Sequence, residues 1–357
     1  MDSTAKTIGY AQGGTELAYM RSGLKFIALT VLALIGWVKI RFTAQPTLII
    51  LTYHRILPKD HPVRQQEQPG MVTAPETLQS HIQTMKSLGA IPIHLNDWLD
   101  KRAGGDQLPA LSFALTFDDG WRDNFQYAYP VLAAENVPAT IFLVTQLVDT
   151  NQTFWPEQVM ALLTTRAIPD SPPEFRWLIP FLPSQKATEK PLTLNEADEV
   201  ITRLKALDDQ TILKHLNAIQ PQERQSEEKA NSRSILNTRE LVNMAADGLI
   251  RFGAHTQHHY RLNRIEETSL LKREIVDCLN DLRALGKGVV PVFCYPNGDI
   301  TSEGEKLVAE HYEAACTTHT GWNKMNRDPF GLRRFNLHDG NSYSYRTLLA
   351  TIGRGIL

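Results

Sequence analysis

Two short segments hold side chains whose types and spacing suit chemistry better than packing. Thr116-Phe117-Asp118-Asp119-Gly120 supplies adjacent carboxylates, and His255-Thr256-Gln257-His258-His259 supplies imidazoles four residues apart. One Asp and two His with an open position form the usual ligand set of a hydrolytic zinc site, and the four-residue spacing predicts both imidazoles on one side of a helical turn. The spare carboxylate is then placed to move a proton beside the metal. A tandem Asp pair alone more often marks a solvated turn, and His-x-x-x-His alone binds metal in a minority of cases. Both together, each closing a strand-like run and each near glycine, argue for a metal-dependent site.

The elements that must position these groups are legible on either side. Leu111 to Leu115 reads as a buried parallel strand delivering the Asp pair to its C-terminal end, and Gly248 to Ala254 delivers His255 in the same way. Strands are expected at about Thr47 to Tyr53, Ala90 to Ile93, Leu111 to Phe117, Ala139 to Val144, Leu249 to Ala254, Val289 to Tyr295 and Ala314 to Thr317, with Arg333 to Leu337 weaker. Helical patterns lie between them, one opened by Pro75 and ending near Gly89, another started by Asn237 and Glu240 as a capping box. Such alternation favours a parallel α/β barrel.

Thr116 to Gly120 and His255-Thr256-x-x-His259, with Leu51-Thr52-Tyr53-His54-Arg55 and Val137 to Leu143, make the chain resemble the polysaccharide deacetylases, the family 4 carbohydrate esterases. The resemblance runs from Thr47 to near the C-terminus and implies a distorted (β/α)7-type barrel. It implies that Asp119, His255 and His259 bind a divalent metal, zinc first with cobalt or nickel as alternatives, while Asp118 is the general base. Thr256 is expected to hold the His loop by a hydroxyl hydrogen bond, and His258 to point away from the ligands. The family's third motif lacks its arginine here. Val292 to Gly298 resembles the version typical of bacterial exopolysaccharide deacetylases, in which the turn at Tyr295 and Pro296 offers a backbone N–H to the tetrahedral oxyanion. Arg333 or Arg334 is the candidate substitute charge. Trp322 is read either as packing or as a sugar-facing wall. For the acid that protonates the leaving amine, His54 and His338 compete; His54, at the end of the first strand, is preferred because barrel closure sets the first strand beside the last.

At 357 residues the length suggests two domains, but single α/β barrels commonly exceed that prior. The expected division is a tail with a membrane anchor or signal segment over 1–45 and a catalytic domain over 46–357, interrupted by a helical insertion at about 151–234. Within the insertion, helices are expected near Leu194 to Leu207 and Gln210 to Ile219, and Gln220 to Ser234 is expected to be a mobile loop. Net charge is −2, with no basic cluster suited to nucleic acid. The three cysteines make neither a disulfide framework nor a structural zinc site. Phe26 to Val38 is an apolar run of about 13 residues, short for a full span, though Leu24 to Ile40 could cross if Lys25 and Lys39 snorkel. Basic residues on both flanks leave orientation open.

The function expected from the resemblance is metal-dependent removal of N-acetyl groups from N-acetylhexosamine units of a cell-surface or exported glycan, by a metal-activated water. Alternatives are a deacetylase or deformylase of a lipid-linked sugar and a non-catalytic carbohydrate-binding homologue, the latter disfavoured by Asp118. The expected place is the bacterial inner membrane, reached through the N-terminal helix, with the catalytic domain periplasmic or otherwise extracytoplasmic.

Overall fold

The computed structural model describes residues 10–171, 173–219 and 233–355, with side chains from Gly23 onward. Most of the expected mobile loop at Gln220 to Ser234 therefore lies outside the described residues.

Six strands form the centre: β1 (Thr47–Tyr53), β2 (Leu111–Phe117), β3 (Ala139–Leu143), β4 (Ile250–Ala254), β5 (Val289–Cys294) and β6 (Ala314–Cys316). They pair in parallel in chain order. Every residue of β1, β2 and β3 is buried, which is why these segments read as continuous apolar runs rather than alternating ones. Alternate side chains divide between two cores. Ile49, Leu51 and Tyr53 pack with the surrounding helices, while Leu48 and Ile50 join Ala114, Phe142, Val292, Cys294 and Cys316 in the barrel interior. Gly253 sits where a Cβ would strike the Phe142 ring and the Val292 carbonyl, so β4 needs glycine to fit between its neighbours.

The sheet curls into a distorted barrel. Leu332 bridges to Cys316, donating to Ala315 O (3.0 Å) and accepting from Thr317 N (2.9 Å). A few residues later Phe335–Asn336 pairs in parallel with Leu51 and Thr52, and Leu337 N donates to Thr52 O at 2.9 Å. The weak Arg333 to Leu337 strand thus connects the last strand to the first.

The insertion contains helices Trp155–Thr165, Leu194–Leu204 and Asp209–Ala218, which bury their own apolar cluster around Val159, Leu163, Phe175, Val200, Leu204 and Ile212. Thr193 and Glu196 cap the middle helix reciprocally. The insertion is tied to the barrel by Arg261, just beyond the His segment. Its guanidinium donates to Asp209, Lys205 O (2.7 Å) and Leu207 O (2.6 Å).

At the N-terminus the apolar run is part of one long helix, Tyr10–Arg41, which packs against the C-terminal helix Tyr345–Arg354. Its Gly23–Arg41 portion has a mean hydropathy of 1.8 and is 17% buried, long and apolar enough to cross a membrane by composition.

Candidate active site

The interior-facing positions of the strands run upward from apolar to polar, and the site caps the column. On β1, Leu48 and Ile50 are followed by Thr52 and then His54; on β2, Ala114 is followed by Thr116 and then Asp118. The Thr52 and Thr116 hydroxyls hydrogen-bond at 2.8 Å, a polar layer between the apolar interior and the carboxylates. Above it opens a cavity of about 450 Å³.

Asp119 turns away from the strand direction. Its φ of 74° is left-handed, uncommon for a residue with a Cβ, so the two neighbouring carboxylates diverge instead of alternating across the sheet. Asp119 Oδ1 lies 3.5 Å from His255 Nε2 and 3.4 Å from His259 Nε2. These three donor atoms fall within 4.8 Å of one another. Trp121 Nε1 donates to the other Asp119 oxygen at 2.9 Å, and His255 Nδ1–H donates to Cys294 O at 2.7 Å, leaving Nε2 as the lone-pair donor. Such anchoring from outside the ligand set is what a divalent metal site requires, and the residues fit that ion.

Protonation agrees. Burial acts to raise the Asp119 carboxyl, but the hydrogen bond to His255 and the neighbouring His259 and His54 imidazoles outweigh it and hold it well below the usual carboxylate range. Burial lowers His259 to about 4 against the pull of Asp119, so its imidazole is neutral and able to ligate near neutral pH.

The His segment is not the helical turn that its spacing predicts. It is a bend in which Thr256 (φ 65°) and His259 (φ 64°) are left-handed, and this reversal, rather than helical periodicity, brings His259 back beside His255. The Thr256 hydroxyl accepts from His259 N at 2.8 Å and fixes the bend. His258 leaves the site, its Nδ1 2.6 Å from the buried Glu274 carboxylate.

Asp118 lies outside the ligand trio and is gripped by Arg334, whose Nη1 and Nη2 donate to its two oxygens at 2.7 and 2.8 Å. Both side chains are 4% exposed. Burial acts to raise this carboxyl and the guanidinium overrides it, so Asp118 stays ionised. The Cys294 thiol points at Asp118 Oδ2 (3.7 Å). Asp118, His255 and Cys294 form a second close trio, but Asp118 is already bidentate on Arg334 and burial pushes the thiol well up, so it offers no thiolate.

The other candidates separate. His54 lines the cavity with Nε2 3.9 Å from Asp118 Oδ2. His338 does not line it; its Nδ1 accepts from Gly340 N at 3.1 Å and caps the short Asp339–Ser342 helix. Arg333 packs its stem against Gly321, away from Asp118. Trp322 is 9% exposed and donates to Ile352 O at 3.2 Å, packing under the C-terminal helix rather than walling the cavity. Tyr295 does line it, yet its backbone N–H is spent on Cys316 O at 3.1 Å, and Pro296 has none to offer. That removes both as backbone oxyanion donors and leaves the left-handed Asn297 (φ 54°) as the next amide along the cavity wall.

Trp121, Cys294 and Glu157 carried no expectation from sequence. The nearest signal was the position of Trp121 directly after the Asp-Asp-Gly turn. Glu157, on the insertion's first helix, lines the cavity with a buried Oε2 that lacks a partner; burial and then the Glu67 and Asp119 charges push its carboxyl well up. Phe154, from the same segment, meets the His259 ring edge-on at a centroid distance of 5.0 Å.

A polysaccharide deacetylase family model matches residues 106–167 and 215–313, skipping most of the insertion while spanning both motif segments. No curated protein matches the chain. Among solved structures, the Streptococcus pyogenes deacetylase PplD in complex with acetate is 18% identical with a TM-score of 0.56, over 86% of this chain and 99% of that one. IcaB from Ammonifex degensii is 15% identical with a TM-score of 0.52, over 86% and 97%. A de-N-acetylase from Aggregatibacter actinomycetemcomitans is 14% identical with a TM-score of 0.52, over 85% and 99%. At these identities the structures speak for a shared fold, and the family assignment rests on the model match over the two segments that build the site. Residues 106–167 and 215–313 thus form a polysaccharide deacetylase domain, and the protein is a deacetylase hydrolase of that kind.

Proposed function

We propose that the protein is a metal-dependent N-deacetylase that removes acetyl groups from N-acetylhexosamine units of a cell-surface or exported glycan, working outside the cytoplasm at the bacterial inner membrane. The observation that carries this reading is a carboxylate, Asp118, kept ionised by Arg334 immediately beside a separate Asp/His/His donor set. The polysaccharide deacetylase match supports the glycan class, and the likeness to IcaB and to a de-N-acetylase supports the fold.

Asp119, His255 and His259 would hold the ion, zinc in the first instance given two imidazoles and a carboxylate. A divalent ion there polarises the amide carbonyl and lowers the pKa of water. Asp118 takes the proton of the attacking water, its charge fixed by Arg334 so that it starts the cycle as a base. His54, on the cavity wall 3.9 Å from Asp118, gives a proton to the departing amine. The Asn297 amide is placed to donate to the oxyanion.

Acetate release from N-acetylglucosamine oligomers, paired with metal analysis, tests the assignment. Asp118→Asn should keep stoichiometric metal and lose about 10²–10⁴-fold in kcat, whereas Asp119→Asn should lose the metal itself. Equal loss of metal in both would overturn the division of roles, and no acetate from any acetylated glycan would overturn the activity.

A further inference from the structure

The N-terminal helix is fastened to the barrel along one stripe, Leu29, Ala33, Gly36 and Ile40, of which the last three are buried. At its centre two glycines meet. A Cβ on Gly36 would overlap the Leu349 carbonyl oxygen, and one on Gly353 would overlap the Leu32 carbonyl oxygen, so the backbones touch only because neither residue has a side chain. The opposite stripe is equally apolar and faces outward: Ile27, Val31, Leu34 and Val38 are 59, 51, 60 and 41% exposed.

From Gly23 to Arg41 and along the C-terminal helix, the charged residues are all cationic. No Asp or Glu occurs between Glu16 and Asp60 or after Asp339, while Lys25, Lys39, Arg41, Arg346 and Arg354 fall on these two helices. Arg346 lies over the Phe26 ring, 4.1 Å from its centroid. An apolar outer stripe edged by cations complements an anionic lipid surface.

We propose that this helix is a fixed part of the catalytic domain and lies in the plane of an anionic bilayer, with Ile27, Val31, Leu34 and Val38 immersed, rather than spanning it. The inference rests on the membrane-associated reading above and adds the pose. A spanning helix would have to release the glycine seam or draw Arg346, Thr347 and Thr351 of the C-terminal helix into hydrocarbon. An in-plane helix needs neither, since immersion of about 5–10 Å suffices.

The test uses the full chain with a fluorophore on a single cysteine introduced in turn at Ile27, Val31, Leu34 and Val38; native Cys278, Cys294 and Cys316 are buried. On vesicles of phosphatidylethanolamine and phosphatidylglycerol, depth-graded lipid quenchers should place all four at one shallow depth. Depths that change steadily along the helix or peak at its middle overturn the pose, and absence of quenching overturns the lipid contact. The double substitution Leu34→Glu, Val38→Glu should weaken vesicle binding by about 100-fold without lowering Tm; unchanged binding overturns the proposal. Gly36→Leu should open the seam and speed tryptic cutting at Lys39 and Arg41, and an unchanged cutting rate would contradict the clasp. Acetate release from soluble oligomers, measured on the same preparations, reports separately on the deacetylase reading.

Discussion

At the scale of single residues, the two adjacent aspartates show how one sequence signal splits into two environments. Asp118 faces Arg334 and His54, and Asp119 faces His255, His259 and Trp121, because a left-handed φ at Asp119 sends its side chain elsewhere. The motif itself was plain in the sequence. The choice between Arg333 and Arg334 was not, because neighbours in an extended segment point to opposite sides and only the register with β1 decides which enters. The same limit applied to the acid. His54→Ala should lower kcat by about 10²–10⁴-fold with metal retained and should remove the basic limb of the pH–rate profile. His338→Ala, which removes a cap, should instead lower stability by about 1 kcal/mol and leave kcat nearly unchanged; the reverse pattern would assign the acid to His338.

At the scale of elements, the strands were legible within a residue or two because the central ones, β1 to β3, are buried on both faces and so spell themselves as apolar runs. The His bend was not, since the i, i+4 pattern of a helical turn and of this left-handed reversal are identical in sequence. Contacts between elements also stayed hidden, among them a buried imidazole. His81, on the helix Pro75–Ser87, accepts from the Tyr53 hydroxyl on β1 at 2.9 Å and donates to Ser342 O at 2.7 Å. Burial lowers it to about 4 from an ordinary 6.5. The folded state thus resists a proton that the unfolded chain accepts. The His81 contribution to stability should be intact above pH 6.5 and fall by about 3 kcal/mol as pH drops through 6.5 to 4, then level off. Urea midpoints measured across that range should show the fall, and His81→Gln should flatten that part of it. An identical slope in the variant would mean that His81 does not carry the effect.

Across the whole molecule, the barrel and the helices Trp155–Thr165, Leu194–Leu204 and Asp209–Ala218 bury separate apolar clusters. The glycine seam was invisible beforehand because glycine inside a helix reads as a weakness until its neighbour across the contact is known. Chain ends also meet at the chemistry. Arg334 belongs to the segment that joins β6 to β1, so the partner of Asp118 arrives only when the last portion of the chain is in place. Arg334→Met should destabilise the protein by about 3–5 kcal/mol, because a buried carboxylate is left alone, and should abolish acetate release while metal content persists. Wild-type enzyme titrated with urea should likewise stop turning over before it releases metal, as Asp119, His255 and His259 all lie upstream of that segment. Loss of both at one urea concentration would show a single cooperative unit instead. The joining segment therefore ties the site to completion of the chain: a chain cut short just before Arg333 keeps Asp119, His255 and His259 but loses the Arg334 that holds Asp118 ionised, along with the buried Phe335, Leu337 and Leu349 of the core.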